Sequence, residues 1–535
     1  MAMMDLDVVT GLHGKKIQCP KVEGGLGIRN INHVQTSLAV KQIWTILHGT
    51  SLWASYARRR FAGLSPLLIP GIPNHLMLHA NVLVKANSRW FPGKGDKVDF
   101  IHDSWYGDQS IAESLLGPPP AGITLQAVVR DPYHPARSLI SPQVFLDLYL
   151  TQDKDKCIWK PSSSGEFTTK STYDLVRHTG VRRPAIQKIW HHLFNPRASL
   201  FCWKLLHRAV AVDGRISECG IPLVSKCNCC AIPKCEDLNH VFIGSDLATT
   251  LWRWFLPLVQ NNIHLHPQLT TRLLNFINNT NTQTPSGFIS IYCLTLMLWE
   301  IWRCRCAARF DHKNNRPTDI IHTIKFNVGF ALGKMVFKTE TAWSASQVLL
   351  SYGFTYHTLA KQTKLFRWIP PVVDFCLNVD GASKGNPGLC GGGGCIRDKH
   401  GNVLLAFSNY YGAGNSLLAE ARALCDGLRL AHFVGVHLLA IYSDSSTLVQ
   451  SMQQGKCPSW LIHHWWRSSR DLLDNGSSLV HVFWETNQVA DRLANHAIYT
   501  MCNEVFWRFK CFPYACKGPL LIDKTSLLNI RLSYC

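Results

Sequence analysis

Four carboxylates in the last third of the chain, Asp380, Glu420, Asp444 and Asp491, stand where they could act together. Asp380 closes a short strand that puts Phe375, Leu377 and Val379 on one face and Cys376, Asn378 and Asp380 on the other. The strand runs into a Gly/Asn/Pro turn, Gly385-Asn-Pro-Gly388. Glu420 lies inside the apolar stripe of a helix over 416–431 (Leu417, Ala421, Leu424, Leu428, Ala431), where an unpartnered acid is costly. Leu438-Leu-Ala-Ile-Tyr-Ser-Asp-Ser445 reads as a second strand ending in an acid, Asp444. Asn487 to Ala497 reads as a helix capped by Asn487, with Asp491 in its first turn or just beyond. Singly, Asp380 is a turn residue and Asp491 a favourable charge at a helix N-terminus. Together, four acids on one patch repel unless divalent cations neutralise them, and an oxygen-only ligand set suits magnesium or manganese. That is a two-metal phosphoryl-transfer site in outline.

The scaffold for these groups starts after Pro370-Pro371, which punctuates the chain. With 535 residues and 46% apolar composition, the chain has room for about two to four domains. A formal charge of +20 favours a polyanionic partner. Residues 371–500 carry nine Lys/Arg against ten Asp/Glu, and 501–535 carry five against two. The first 370 residues therefore hold 41 against 23, a net of +18, and would supply most of the attraction to nucleic acid. Twenty cysteines with no signal peptide at Met1 to Val9 point to a reducing intracellular setting, nucleus or cytoplasm. The longest apolar stretch, Phe288 to Trp302, is short for a membrane span and contains Glu300, so it reads as a buried helix.

Val379-Asp-Gly-Ala-Ser-Lys-Gly-Asn-Pro-Gly388, Ala419-Glu-Ala-Arg-Ala-Leu424, Ser443-Asp-Ser445 and Asn487-Gln-Val-Ala-Asp-Arg-Leu-Ala494 occur in the order and spacing of the ribonuclease H family. Residues 373–500 resemble that family, and more narrowly the ribonuclease H domain of plant non-LTR retroelements and genes derived from them. The resemblance implies a five-stranded mixed sheet with helices packed on it, Gly391 to Gly394 opening the second strand and Gly401 to Tyr411 forming the third. It implies that Asp380 bridges two magnesium ions about 3.5–4 Å apart, with Glu420, Asp444 and Asp491 completing their shells. The reaction would be endonucleolytic cleavage of the RNA strand of an RNA–DNA hybrid, leaving a 5′-phosphate. The RNA would be selected through its 2′-hydroxyls. Gly385, Asn386, Pro387 and Gly388 would contact the groove, and Ser416 stands where many relatives have Asn. Many relatives carry a His before the last Asp, and the plant elements an Arg-Glu pair. Here the place reads Trp484-Glu-Thr-Asn487, so one cation near the phosphates is gone. His463, His464 and His481 read as surface or packing residues.

Upstream, Gln18 to Arg29 and the Trp-containing helix after it resemble the segment that follows the polymerase core in plant retroelement reverse transcriptases, without an Asp-Asp pair for DNA synthesis. Asn87 to Asp96 and Phe100 to Gly107 read as a Trp-anchored connector, packing around Gly turns. Residues 157–255 resemble the helical zinc-binding module of these elements. Its knuckle, Cys227-Asn-Cys-Cys230 then His240, offers three of the four ligands a structural zinc needs, with Ser245 at the fourth place and Cys229 or Cys235 as substitutes. From 251 to 368 there is no catalytic motif, and Arg305, Arg309 and Lys313 read as a solvated basic face.

The expectation is a multidomain protein, mostly α-helical in its N-terminal and middle regions, followed by an α/β ribonuclease H-like domain. Its divisions are a reverse-transcriptase remnant and connector (1–150), a zinc-binding-like module (157–255), a helical linker (256–370), the ribonuclease H-like domain (371–500) and a tail (501–535). The expected partner is an RNA–DNA hybrid, with no membrane. The cofactors are two magnesium or manganese ions, with zinc at Cys227, Cys230, Cys235 and His240. The rival readings are an inactive nucleic-acid-binding remnant and a protein-interaction platform.

Overall fold

The computed structural model describes residues 14–61, 68, 69, 71–107, 109–115, 117–146, 148, 150, 152–177, 179–232, 234–260, 266–338, 341–359, 361–473, 476–507 and 511–534. Met1 to Val9, where a leader would lie, fall outside them. The chain forms two compact units that do not follow sequence order: 1–31 with 178–362 and 534–535, and 32–177 with 363–533. Residues 157–177, at the start of the zinc-binding resemblance, thus belong to the second unit.

The first unit is helical. Its axis is Pro285–Phe310, a 26-residue helix with apolar residues on all sides. By length and composition that helix could cross a membrane, but 83% of its apolar window is buried against the helices Pro196–Leu206, Asp246–Leu258, Leu269–Asn279 and Pro317–Leu332. Near its end, Arg305 is 3% exposed and pairs with Glu236, and Arg309 meets Asp213 at 2.5 Å. Of the expected solvated basic face, Lys313 is exposed, but Arg305 is buried and Arg309 half-buried in an ion cluster, because the acids from 213 and 236 satisfy their guanidinium groups.

The second unit contains the sheet. Its strands are β1 (Phe375–Lys384), β2 (Gly388–Asp398), β3 (Val403–Gly414), β4 (Leu438–Ser443), β5 (Ser478–His481) and β6 (Glu504–Phe506), in the order β5-β4-β1-β2-β3-β6. β1, β2 and β3 form an antiparallel meander, β4 joins β1 in parallel, β5 joins β4 in parallel, and β6 pairs antiparallel with β3. The sheet therefore has six strands rather than five. The sixth comes from the tail, whose Phe506 joins an apolar cluster with Cys395, Ala406 and Leu493. The glycines 391–394 fall in the middle of β2 rather than at its start, and β1 continues past Asp380 to Lys384.

Alternation along the strands sorts the two faces. Leu377, Val379, Ile396 and Phe407 meet α1 (Ser416–Val434) and α3 (His463–Leu472), with α2 (Ser446–Gln454) alongside. Cys395 and Ala406 meet α4 (Gln488–Thr500) and α5 (Tyr514–Lys524) on the other side. Earlier in this unit, Ser88–Phe91 pairs with Lys156–Trp159, and Trp159 is fully buried against Trp44 and Phe167. Phe100 and Trp105 pack in a separate small core of the connector.

Candidate active site

Asp380 sits in mid-strand on the face opposite Leu377 and Val379, and is 6% exposed. Glu420 reaches it from the first turns of α1. That approach depends on Gly381, where a Cβ would stand 2.1 Å from the Glu420 amide nitrogen. Only a residue without a side chain lets the helix lie this close to the strand. Asp444 follows β4 directly, and the parallel pairing of β4 with β1 places Ser443 beside Val379. Ligand oxygens of Asp380, Glu420 and Asp444 lie within 4.8 Å of one another. Asp491, in the first turn of α4, stands outside that trio, and its Oδ1 accepts a 3.0 Å hydrogen bond from Asn495 Nδ2.

The electrostatics follow from crowding. Burial, then the Asp444 charge and the hydrogen bond to Asp444, hold Asp380 well above the ordinary carboxylate range, with Asp491 adding to the effect. Burial raises Glu420 likewise, followed by the charges of Asp380 and Asp444. Asp491 is raised by burial; Arg492 and Asn495 oppose the shift and Asp444 reinforces it. Glu420 Oε2 and Asp444 Oδ1 are buried without a hydrogen-bond partner. Carboxylate oxygens without protein donors, in an acceptor-only cluster, fit hard divalent cations.

Asn487 behaves differently from a helix cap. Its side chain makes no capping bond; Nδ2 donates to Val379 O at 2.9 Å and Oδ1 accepts from Asn378 Nδ2 at 3.0 Å. Asn378 Oδ1 in turn accepts from Arg397 at 2.8 Å, and Arg397, fully buried over Trp368, donates to Asp523 of α5 at 2.7 Å. This buried relay ties the tail helix to the strand that carries Asp380 and the helix that carries Asp491. Sequence reading missed it. A lone Arg beside a glycine-rich strand and an Asn on the acid's face were visible signals, whereas Asp523, far along the chain, gave none. His481, read as a surface or packing residue, brings Nε2 to 3.2 Å from Asp444 O.

Asn386 of the Gly385–Gly388 turn meets Ser416 at the start of α1, with Asn386 Nδ2 to Ser416 Oγ and Ser416 N to Asn386 Oδ1 both 3.3 Å. Gly385 adopts φ +82°, and a Cβ at Gly388 would collide with Lys384 O, so this turn requires both glycines. Pro387 completes the turn. Trp484 is 58% exposed, and its neighbour Glu485 is buried and pairs with Arg531 of the tail at 3.4 Å.

In the first unit, Cys227, Cys230 and His240 form a second cluster, with Cys230 Sγ 3.8 Å from Cys227 Sγ and 3.3 Å from His240 Nε2. Hydrogen bonding from Cys229 holds the Cys227 thiol down at about 5, against burial. Cys229 is raised, first by its contact with Cys227 and then by burial, and its backbone amide donates to Cys227 Sγ at 3.4 Å. Cys235 is exposed and lies outside the trio, because its loop carries it to the surface. Ser245 is fully buried; its Oγ donates to Val241 O and accepts from Ala248 N as a helix cap.

Family comparisons agree with this two-part picture. Residues 378–497 match the family described as reverse transcriptase-like, and residues 167–252 match the family described as zinc-binding in reverse transcriptase. The chain thus carries a ribonuclease H-like domain and a reverse-transcriptase zinc-binding segment, the pairing of a retroelement-derived ribonuclease H protein. An Arabidopsis thaliana protein, provisionally named a ribonuclease H protein, is 25% identical over 516 residues, covering 90% of this chain and 80% of that one. Among solved structures, ribonuclease H1 of the archaeon Halobacterium salinarum is 26% identical over 24% of this chain and 98% of its own, with a TM-score of 0.23. The N-terminal ribonuclease H domain of a Mycobacterium tuberculosis protein is 29% identical over 24% and 95%, with a TM-score of 0.23. LC11 ribonuclease H1, isolated from compost by a metagenomic approach and solved in complex with RNA/DNA hybrid, is 28% identical over 24% and 98%, with a TM-score of 0.23.

Proposed function

We propose that this protein is a metal-dependent endonuclease that cleaves the RNA strand of RNA–DNA hybrids. The observation that carries the reading is the pair of buried, unpartnered oxygens, Glu420 Oε2 and Asp444 Oδ1, beside Asp380. A buried acceptor without a donor is costly, and an acid on the core face of α1 has no packing reason to be there. Asp380, Glu420, Asp444 and Asp491 would hold two magnesium or manganese ions. When bound, these ions would supply an activated water and stabilise the leaving 3′ oxygen. The chain's own part is to orient the four acids: Gly381 admits Glu420, Asn487 fixes the strand behind Asp380, and His481 braces the backbone of Asp444. The Asn386–Ser416 pair would present the turn to the groove of an A-like hybrid, where 2′-hydroxyls distinguish RNA. Zinc at Cys227, Cys230 and His240 is a structural proposal for the first unit, and these donors would supply three of its four ligands.

The test is cleavage of a labelled RNA–DNA hybrid by the full chain with magnesium or manganese, beside Asp380→Asn. RNA-strand cutting that needs the metal and falls by about a thousandfold or more in the variant supports the enzyme. A folded wild type that binds hybrid without cutting it would leave the nucleic-acid-binding remnant.

A further inference from the structure

An open groove of about 950 Å³, lined by none of the four carboxylates, lies within the second unit between the connector and the helices α2 and α3. Its cations come from three separate stretches: Lys154 and Lys156, then Lys456, then Arg467 and Arg470. Three acids also line it, Asp153, Glu166 and Asp471, leaving a net of +2. Asp153 is already engaged by Arg467 at 3.3 Å. The walls are built rather than incidental. Asp155 accepts from the amides of Gly93, Gly95 and Lys97 at 2.6, 2.8 and 2.8 Å, which fixes the connector turn. The Trp460 indole donates to Ser162 O at 2.9 Å, and Phe91 packs tilted against His463 with ring centroids 5.1 Å apart. These contacts hold exposed like charges close together on a concave surface, which favours an anionic occupant.

The groove is joined to the active site by one helix. α2 starts two residues after Asp444, and Thr447, Gln450 and Gln454 of its exposed side line the groove. Nine residues at 1.5 Å each span about 13 Å, so the lining runs along α2 from Thr447, three residues after Asp444, to Gln454 at its far end, a length of roughly four base pairs along a duplex.

We infer that this groove is a second phosphate-backbone site, which holds the hybrid within about four base pairs of the cut. The connector is therefore part of the substrate-binding surface. The inference rests on the proposed hybrid substrate and extends it.

The test uses full-length protein in the Asp380→Asn background, binding an RNA–DNA hybrid of about two helical turns across a salt series. Lys154→Met, Lys156→Met and Lys456→Met are combined in one variant. A matched control combines Lys41→Met, Lys85→Met and Lys399→Met, exposed lysines that do not line the groove. All six are surface positions, and thermal melts check that both variants fold like the parent. The groove variant should lower the slope of log affinity against log salt by about 2 to 3, close to 0.9 per lost phosphate contact. The control should change it by less than 1. A groove variant with the parent's slope, or with no more change than the control, overturns the groove and leaves the proposed nuclease standing. A folded parent that does not bind hybrid overturns both.

Discussion

Asp380 and Glu420 are held above the ordinary carboxylate range chiefly by burial, so the metal-free fold keeps protons there that the unfolded chain has lost. A carboxyl raised in the folded state contributes stability that is fully present below the unfolded value, about 4, and is lost as pH rises through the raised value. Without divalent cations, the melting temperature of the second unit should therefore fall between pH 5 and pH 8. Millimolar magnesium should restore more of it at pH 8, where the acids ionise to receive the cation. Asp380→Asn should flatten the pH dependence and remove most of the magnesium increment. Calorimetry in chelator and in magnesium at both pH values reads this, and a metal-free melt that rises with pH would refute it. The acids were legible in the sequence because each breaks a local rule: Glu420 on an apolar stripe, Asp380 and Asp444 at apolar strands. Trp484 belongs to the same scale. Its indole is exposed, and on the proposed hybrid substrate Trp484→Arg should steepen the salt dependence of binding by about 0.9 while changing stability by less than about 0.5 kcal/mol.

The elements meet through glycines and through one buried relay. At Gly393 a Cβ would stand 2.4 Å from the Ala494 amide nitrogen, so α4 lies against β2 as closely as α1 lies against β1 at Gly381. Gly381→Ala should push α1 outward and cut cleavage by at least about tenfold, with a higher half-saturating magnesium concentration, because Glu420 would no longer reach its partners. Titrating magnesium in the cleavage assay checks this, and an unchanged metal requirement would show that α1 does not set the ligand geometry. The relay Asp523–Arg397–Asn378–Asn487 is the other device. Asp523→Ala strands a fully buried guanidinium and should destabilise the domain by about 3–5 kcal/mol. Arg397→Met added to it should recover part of that loss, which urea denaturation of the two single variants and the double variant would show. Periodicity placed the strands and helices, but it carries no information about which polar side chains meet across a sheet. Asn487 therefore holds the N-cap position that periodicity gave it, but its carboxamide serves Val379 and Asn378 instead of the helix.

At the scale of the molecule, sequence motifs mark where the chemistry ends and not where the fold ends. The motifs run from Val379 to Ala494, yet Phe506, Phe512, Cys516 and Leu520 complete the core under β2 and β3, and Asp523 closes the relay. The tail has no motif because its work is covering an apolar face, which many sequences do equally well. The N-terminal contribution was hidden for a related reason. The strand Lys156–Trp159 and the Ser162–Ser164 turn meet the ribonuclease H-like part through Trp460, a contact nearly 300 residues apart in sequence. A fragment cut at the motif boundaries, 371–500, should consequently behave as a damaged domain. It leaves Arg397 without Asp523, exposes the cluster under β2, and removes β6. Against a fragment spanning 363–533, it should lose at least about 5 kcal/mol, which for a domain of this size lowers the melting temperature by roughly 15 °C. Joining 32–177 to the longer fragment through a flexible linker should raise the melting temperature further, because that segment folds against Trp460 and the helix after it. Equal melting of the two shorter fragments would mean that the tail is an appendage and that the relay contributes nothing to the fold.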